Sequence, residues 1–282
     1  MSTASSSSTN QKVVVFDFGA QYGQLIARRV RDLNVYSEIV PCDITADDVR
    51  EMAPAAIILS GGPASVNAED APRVDPAIYE LGVPILGFCY GHQVTSVTLG
   101  GSVYHPEVGE YGPATLHVSG GQLFAGTPAD QTVWMSHFDA VHDVPEGFTV
   151  VASTDVCPVA AMENAEKRIY TTQFHPEVKH TEFGQQILSN FLFNVCKLEK
   201  NWSMDNLVET MTAEFREKVG GDRVILALSG GVDSSVVAAL GARAIGKQMT
   251  CVFVNHGLLR KGAPEQVEEV FTKLFDVDLL RV

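Results

Sequence analysis

The sequence predicts an α/β protein, in which a mixed, mostly parallel sheet flanked by helices is followed by a second, smaller α/β unit. Short apolar runs alternate with helical patterns, which is typical of a parallel sheet covered by helices. Between about residues 103 and 175 the pattern changes to β-rich segments. The strand–helix alternation restarts after the polar stretch LEKNWS at 198–203.

The first unit opens with a predicted strand, KVVVFDF (12–18), and an amphipathic helical pattern, QLIARRVRDL. Two continuous apolar runs, AAIILSGGP (55–63) and VPILGFC (83–89), predict buried strands that end in turns. In the β-rich part, TVWMSHF and RIYTTQFHPE predict further strands. GQQILSNFLFNVC (184–196) predicts the helix that closes this unit.

These patterns divide the chain into a tail (1–11), a first domain (12–198) and a second unit (199–282). The tail is rich in Ser and Thr and is predicted to be disordered. The second unit has a helix near 203–219 and three predicted strands, at 223–229, 250–255 and 277–282. Three strands are few for an independent α/β domain, so we expect this unit to be the incomplete beginning of one.

Composition narrows the function classes. The 282 residues carry a formal net charge of −14, which argues against a nucleic-acid partner because phosphate backbones require clustered Lys and Arg. The five cysteines form no C-x-x-C pair, so neither a disulfide framework nor a zinc site is predicted. No apolar run is long enough to cross a bilayer, and the leader lacks the apolar region of a signal peptide. We expect a soluble, cytoplasmic protein with no membrane partner.

GFCYGHQ (87–93) places Cys89 where a buried strand gives way to a helix starting near Tyr90. Such a turn presents a side chain at the carboxyl end of the sheet, where α/β sites lie, and a helix N-terminus favours a thiolate. Gly87 and Gly91 allow a sharp bend. The pattern is the thiol counterpart of a serine nucleophile elbow, and a buried structural cysteine is the alternative.

A candidate base and its orienting group lie in QFHPEV (173–178). His175 follows a strand pattern, and Pro176 imposes a turn that lets the Glu177 carboxylate reach back to the imidazole. Cys89, His175 and Glu177 then have the logic of nucleophile, base and orienting residue. The remaining histidines His105, His117, His142 and His180 show no partner pattern and are interpreted as surface or loop residues.

LSGGP (59–63), GFCYGHQ and QFHPEV, in this order and at these separations, resemble the class I glutamine amidotransferase family over residues 12–198. The resemblance implies that Cys89 attacks the glutamine carboxamide, that His175 passes a proton to the leaving ammonia, and that Glu177 orients His175. It implies an oxyanion hole made by the N–H groups of Gly62 and Tyr90. The residues implied to seat glutamine are Gln93, Ser136, His137 and Phe138.

ILALSGGVDSSVVAAL (225–240) forms a glycine turn between a strand and a helix, a setting that suits an anion. It lacks the lysine and the spacing of a Walker loop. It resembles the PP-loop of the ATP pyrophosphatase superfamily, and a turn with helix-capping serines is the alternative. The resemblance implies ATP and Mg²⁺ as a substrate complex, Asp233 near the metal, and no prosthetic group. The residues implied to hold the phosphates are Ser229, Gly230, Gly231, Val232, Asp233, Ser234 and Ser235.

An amidotransferase domain followed by a PP-loop resembles the glutamine-hydrolysing GMP synthetase family. The resemblance implies L-glutamine, ATP and XMP as small-molecule substrates, and a homodimer formed through a C-terminal domain beyond this chain, which we expect to be unable to complete the reaction alone. Three positions depart from that family's pattern: His92, Phe138 and Asn255. Phe138 replaces a glycine and is expected to be strained if its φ is positive. The open alternatives are a γ-glutamyl peptidase, a non-aminating glutaminase or regulatory module, and an amidotransferase coupled to another PP-loop acceptor.

Overall fold

The computed structural model describes residues 11–19, 22–255, 262, 265, 269, 271 and 278–282. Of the predicted tail, only Gln11 lies within them, and its Oε1 accepts a hydrogen bond from the backbone N–H of Glu199 (2.8 Å). The described chain forms two compact units that divide between Trp202 and Ser203. The sequence pattern places this boundary slightly earlier, at 198/199.

The first unit begins with alternating strands and helices. Its elements up to the first site are β1 (Lys12–Asp17), α1 (Tyr22–Asp32), β2 (Tyr36–Pro41), α2 (Ala46–Met52), β3 (Ala56–Leu59), a 3₁₀ turn (Pro76–Glu80), β4 (Ile85–Phe88) and α3 (Tyr90–Thr98). The β-rich part follows with β5 (Val103–Tyr104), β6 (Glu110–Val118), a 3₁₀ turn (Gln122–Phe124), β7 (Asp130–His137), β8 (Ala140–Val141), β9 (Thr149–Ser153), β10 (Ala161–Asn164) and β11 (Ile169–Thr172).

In the described residues, nine of these strands form one mixed sheet in the order β2-β1-β3-β4-β11-β10-β9-β6-β7. The neighbours from β2 to β11 run parallel, and those from β11 to β7 run antiparallel. Strands β5 and β8 form a separate antiparallel pair. The predicted class, a mixed and mostly parallel sheet flanked by helices, is confirmed.

Both faces of the parallel part are buried, which explains why its strands are continuously apolar. Alternate residues of β1 enter different cores: Val13 and Val15 pack on the face covered by α1, and Val14 and Phe16 pack on the opposite face. All four side chains are fully buried. Two packed cores on opposite faces hold the carboxyl end of the sheet rigid, and the candidate site lies at that end.

The predicted closing helix has two parts, α4 (Gly184–Ser189) and a π-helical segment (Asn190–Val195). At the end of this segment the N–H of Cys196 donates to the carbonyl of Phe191, five residues back (2.9 Å). The buried Asn190 amide donates to the carbonyl oxygens of Leu123 (2.7 Å) and Ala125 (2.8 Å). This tertiary anchor lies where the helical ladder widens.

The second unit contains α5 (Met204–Val219), β12 (Val224–Leu228), α6 (Val232–Ile245), β13 (Met249–Phe253) and β14 (Asp278–Arg281). Its three described strands are all parallel, in the order β12-β13-β14. A small core forms around Leu228, Ala238, Met249 and Phe253. The three strands lie at the predicted positions.

Candidate active site

The register of three neighbouring strands brings distant segments of sequence to one edge of the sheet. Leu59 of β3 pairs with Gly87 of β4, and Phe88 of β4 pairs with Thr172 of β11. All three strands are parallel, so their carboxyl ends meet. The segments that follow them, 60–62, 89–91 and 173–177, therefore lie side by side.

Cys89 occupies the single-residue turn between β4 and α3. Its backbone has φ 48° and ψ −99°, a region that non-glycine residues rarely adopt. The turn is held because the Cys89 N–H donates to the carbonyl of Thr172 (2.8 Å). It also requires Gly91, since a Cβ there would overlap the carbonyl oxygen of Leu59. The sharp elbow predicted from GFCYGHQ is present.

The Cys89 thiol is 6% exposed and lies among polar groups. Its Sγ is 3.7 Å from the carbonyl oxygen of Ser136, which accepts from the thiol, and Gln173 Nε2 donates to the Sγ at 3.6 Å. A Cβ added to Gly61 would lie 3.7 Å from the Cys89 Cβ and 3.1 Å from the His175 Cε1. Gly61 thus separates the backbone from both reactive side chains. Neither Gly61 nor Gln173 was identified from sequence.

His175 and Glu177 form a buried pair. The imidazole Nδ1–H donates to Glu177 Oε1 at 2.8 Å, which leaves Nε2 for Cys89. The backbone is fixed on both sides, because Arg29 Nε donates to the carbonyl of Glu177 (2.9 Å) and the Thr181 hydroxyl donates to that of His175 (2.6 Å). Burial opposes protonation of His175, but the Glu177 carboxylate and hydrogen bonds to Cys89 and Glu177 outweigh it and raise its pKa to about 11. An imidazolium beside the thiol stabilises the thiolate form.

Cys89 and His175 open into a cavity of about 410 Å³, within the usual range for small-molecule sites. The sequence-predicted residues that line it, besides these two, are Gly62, Gln93, Ser136, His137 and Phe138. The side chain of Tyr90 is buried away from it, and its hydroxyl donates to the carbonyl of Pro72 (2.6 Å). Tyr90 is the first residue of α3, however, and the first amides of a helix have no intrahelical acceptor. Its N–H therefore remains a candidate for an oxyanion.

Gln93 and His137 line the cavity while using their polar groups inside the protein. Gln93 Nε2 donates to the carbonyl of Asp139 (2.7 Å) and to Gln173 Oε1 (3.3 Å). His137 Nδ1 donates to the same Asp139 carbonyl (3.0 Å), and its Nε2 lies 3.4 Å from Glu110 Oε2. Both residues fix the 137–139 turn that forms one wall of the cavity.

The expectation of backbone strain at Phe138 is wrong, because Phe138 is not among the non-glycine residues with positive φ. Its ring stacks on that of His105, with centroids 4.1 Å apart and planes 16° from parallel. The sequence offered no partner for His105. In the structure its Nδ1 donates to Asp139 Oδ1 at 2.7 Å, and the ring lines the cavity.

His92, the second departure from the family pattern, has a structural position. It is fully buried, its Nε2 donates to the carbonyl of Val159 (3.1 Å), and its Nδ1 accepts from the Thr171 hydroxyl (2.7 Å). Burial lowers the pKa of His92 to about 3, so the ring is neutral and ties α3 to the sheet. Asn255, the third departure, donates its backbone N–H to the carbonyl of Val282 (2.8 Å).

In the second unit, the predicted phosphate loop lies between β12 and α6. Gly230 has φ 77°, and Gly231 caps the fourteen-residue helix α6. The Ser234 hydroxyl accepts from the Ser229 N–H (3.3 Å), and the Ser235 hydroxyl donates to the carbonyl of Gly231 (2.7 Å). The loop thus presents the N-terminus of α6 and several hydroxyl groups to solvent, as an anion site requires.

Neither a ready-made metal site nor a membrane span occurs in the described residues. No group of three or more His, Cys, Asp or Glu side chains there is arranged to hold a metal ion. Asp233 therefore has no preformed set of protein ligands in that part of the chain. None of the helices in the described ranges combines the length and apolarity that a membrane span requires.

The fold and this constellation define a class of protein. The family model for class I glutamine amidotransferases matches residues 14–195, and the chain belongs to that family. A second family model, NAD synthase, matches residues 204–265. Two relatives carry the name GMP synthase [glutamine-hydrolyzing]: those of Clostridium acetobutylicum (55% identical over 273 residues) and Clostridium novyi (55% over 271 residues). Each alignment covers 96% of this chain but only 54% and 53% of the relative, so the chain spans about half the length of these curated relatives.

Solved structures agree on the fold of the first unit. A protein from Thermoplasma acidophilum, assigned as one subunit of a GMP synthase, is 33% identical, with a TM-score of 0.61 over 66% of this chain and 94% of that one. A glutamine amidotransferase from Thermotoga maritima is 17% identical, with a TM-score of 0.53 over 67% of this chain and 99% of that one. The second likeness concerns the fold alone.

Proposed function

We propose that residues 12–198 form a glutaminase domain that releases ammonia from L-glutamine. The observation that carries this proposal is Cys89 on a positive-φ elbow, sharing a cavity with His175, whose Nδ1 is held by Glu177. Cys89 Sγ attacks the carboxamide carbon and forms a carbon–sulfur bond. The carbon–nitrogen bond then breaks as His175 Nε2 gives a proton to the departing ammonia. Water hydrolyses the γ-glutamyl thioester and restores the thiol.

The oxyanion formed in this step is assigned to the N–H groups of Gly62 and Tyr90. Gly62 lines the cavity and Tyr90 begins α3, so the helix N-terminus adds a favourable dipole. By analogy with other acyl-transfer enzymes, each such donor contributes about 3–4 kcal/mol to the transition state. Gln93, Ser136, His137 and Phe138 form the wall against which the glutamine side chain lies.

We propose that residues 199–282 supply the phosphate-binding part of an ATP pyrophosphatase domain, with residues 229–235 on the β- and γ-phosphates. Mg²⁺ arrives with ATP as part of the substrate complex, and Asp233 is its nearest candidate ligand in this loop. The whole protein then aminates XMP to GMP, with ATP cleaved to AMP and pyrophosphate. A homodimeric assembly and a cytoplasmic location belong to the same proposal. The match to relatives named GMP synthase supports it.

Ammonia release tests the glutaminase proposal. The purified chain is incubated with L-glutamine, and ammonia is measured with glutamate dehydrogenase. We expect Cys89→Ala to abolish release and Cys42→Ala, a matched loss of a half-buried thiol, to leave it unchanged. Release that survives Cys89→Ala would contradict the assignment. For the full reaction, AMP rather than ADP should form from ATP, and only when XMP is present.

A further inference from the structure

The cavity contains a positive charge that the glutaminase mechanism does not use. A free glutamine has a charged α-carboxylate besides its carboxamide, and a carboxylate taken out of water needs a partner. Among the described residues that line the cavity there is no Lys or Arg. A positively charged side-chain partner must therefore be one of three histidines: His105, His137 or His175.

Two of these histidines are already engaged. His175 contacts Glu177 and Cys89 and is required at the carboxamide end. The His137 side chain is 3% exposed, and both ring nitrogens face protein acceptors at the Asp139 carbonyl and Glu110. His105 differs, because its side chain is 68% exposed and only Nδ1 is bound. Its Nε2 is left for a ligand.

His105 is also held in a defined orientation. Its Nδ1 donates to Asp139 Oδ1, and its ring lies flat on Phe138. Asp139 is itself fixed, because its side chain is 7% exposed and its Oδ2 accepts from the Ser65 hydroxyl. As an imidazolium, His105 pairs with Asp139 through Nδ1–H and keeps Nε2–H free. Without that cation, the Asp139 carboxylate would repel an incoming α-carboxylate.

We propose that His105, oriented by Asp139 and Phe138, binds the α-carboxylate of glutamine and selects free amino-acid amides over uncharged amides. This inference rests on the proposed glutaminase function. It assigns to the Asp139–His105 pair a role in substrate recognition, at the end of the cavity opposite the chemical step. His105 is a specificity-determining residue and takes no part in the transfer of the proton to ammonia.

Two electrophiles that alkylate Cys89 separate recognition from thiol reactivity. The diazoketone analogue of L-glutamine carries the α-amino-acid end, and iodoacetamide carries only a small amide. Labelling rates at limiting reagent are measured by intact mass for the wild-type chain, His105→Ala and His105→Gln. The matched control is His142→Gln, which removes an equally exposed histidine paired with Asp143 but outside the cavity lining.

The loss of one charge-assisted hydrogen bond predicts a diazoketone rate about 10- to 100-fold lower in His105→Ala. His105→Gln, which keeps a neutral donor, should lie between it and the wild type. Iodoacetamide rates should not change, and His142→Gln should match the wild type with both reagents. Equal slowing of both reagents, or of neither, overturns the inference. If the wild-type Cys89 reacts with iodoacetamide but not with the diazoketone, the glutaminase proposal itself fails.

Discussion

The charge of Glu177 can be removed while its shape is retained. Glu177 is fully buried, and its carboxylate is 2.8 Å from His175 Nδ1. Two unit charges about 4 Å apart interact by about 4 kcal/mol at an effective dielectric of about 20. In Glu177→Gln this attraction is lost while the burial of His175 remains, so the pKa of His175 falls. We expect kcat/KM for glutamine hydrolysis to fall by about 10²–10³-fold, since 1.36 kcal/mol corresponds to a factor of ten.

The assay is ammonia release over a range of glutamine concentrations, which separates kcat from KM. The loss should lie in kcat, because Glu177 does not line the cavity and makes no substrate contact. Glu80→Gln is the control: it removes one charge from an exposed pair with Lys167, and such pairs contribute at most about 1 kcal/mol. A Glu177→Gln enzyme that keeps kcat/KM within about threefold of the wild type would refute the reasoning.

Three further predictions concern the supporting structure. Gly91→Ala places a methyl group against the Leu59 carbonyl and should lower the free energy of unfolding by about 1–3 kcal/mol in urea titrations; an unchanged midpoint would show that the elbow relaxes freely. His92 has a folded pKa of about 3, below its ordinary 6.5, so its stabilisation is present above pH 6.5 and is lost as pH falls toward 3. Urea midpoints should therefore fall less on acidification in His92→Gln than in the wild type, and parallel curves would contradict this. Gly230→Val forces a branched side chain to φ 77° and should weaken pyrophosphate binding, measured by calorimetry, by about tenfold; equal affinity would place the anion elsewhere.

The positions of the strands and of the three reactive residues could be predicted from the sequence, because the signals are local. Continuous apolar runs mark strands buried on both faces, and Gly87 and Gly91 mark the sharp turn around Cys89. The pair His175–Glu177 follows from its two-residue spacing across Pro176. Each of these features is set within a few residues of the chain.

Contacts that depend on strand register could not be predicted in the same way. Gln173 reaches the Cys89 thiol only because β11 lies beside β4, and a glutamine in a strand-end segment has no distinguishing pattern. The stacking of His105 on Phe138 joins residues 33 positions apart (105 and 138). The π-helical segment at Asn190–Val195 likewise coincides with a side-chain anchor to a remote turn, which helical periodicity does not report.

The four cysteines other than Cys89 provide an internal reference for the central claim. Burial raises the pKa of all four, to about 12 for Cys157 and Cys196. Such thiols are poor nucleophiles at neutral pH. A covalent intermediate on the protein should therefore have a single location.

The most direct measurement is an acid quench during glutamine turnover, followed by mass spectrometry of the intact protein and its peptides. The account predicts one γ-glutamyl adduct, located on Cys89, that accumulates within the first turnover and is absent from Cys89→Ser. An adduct on another cysteine, or ammonia release with no thioester at any time point, would contradict it.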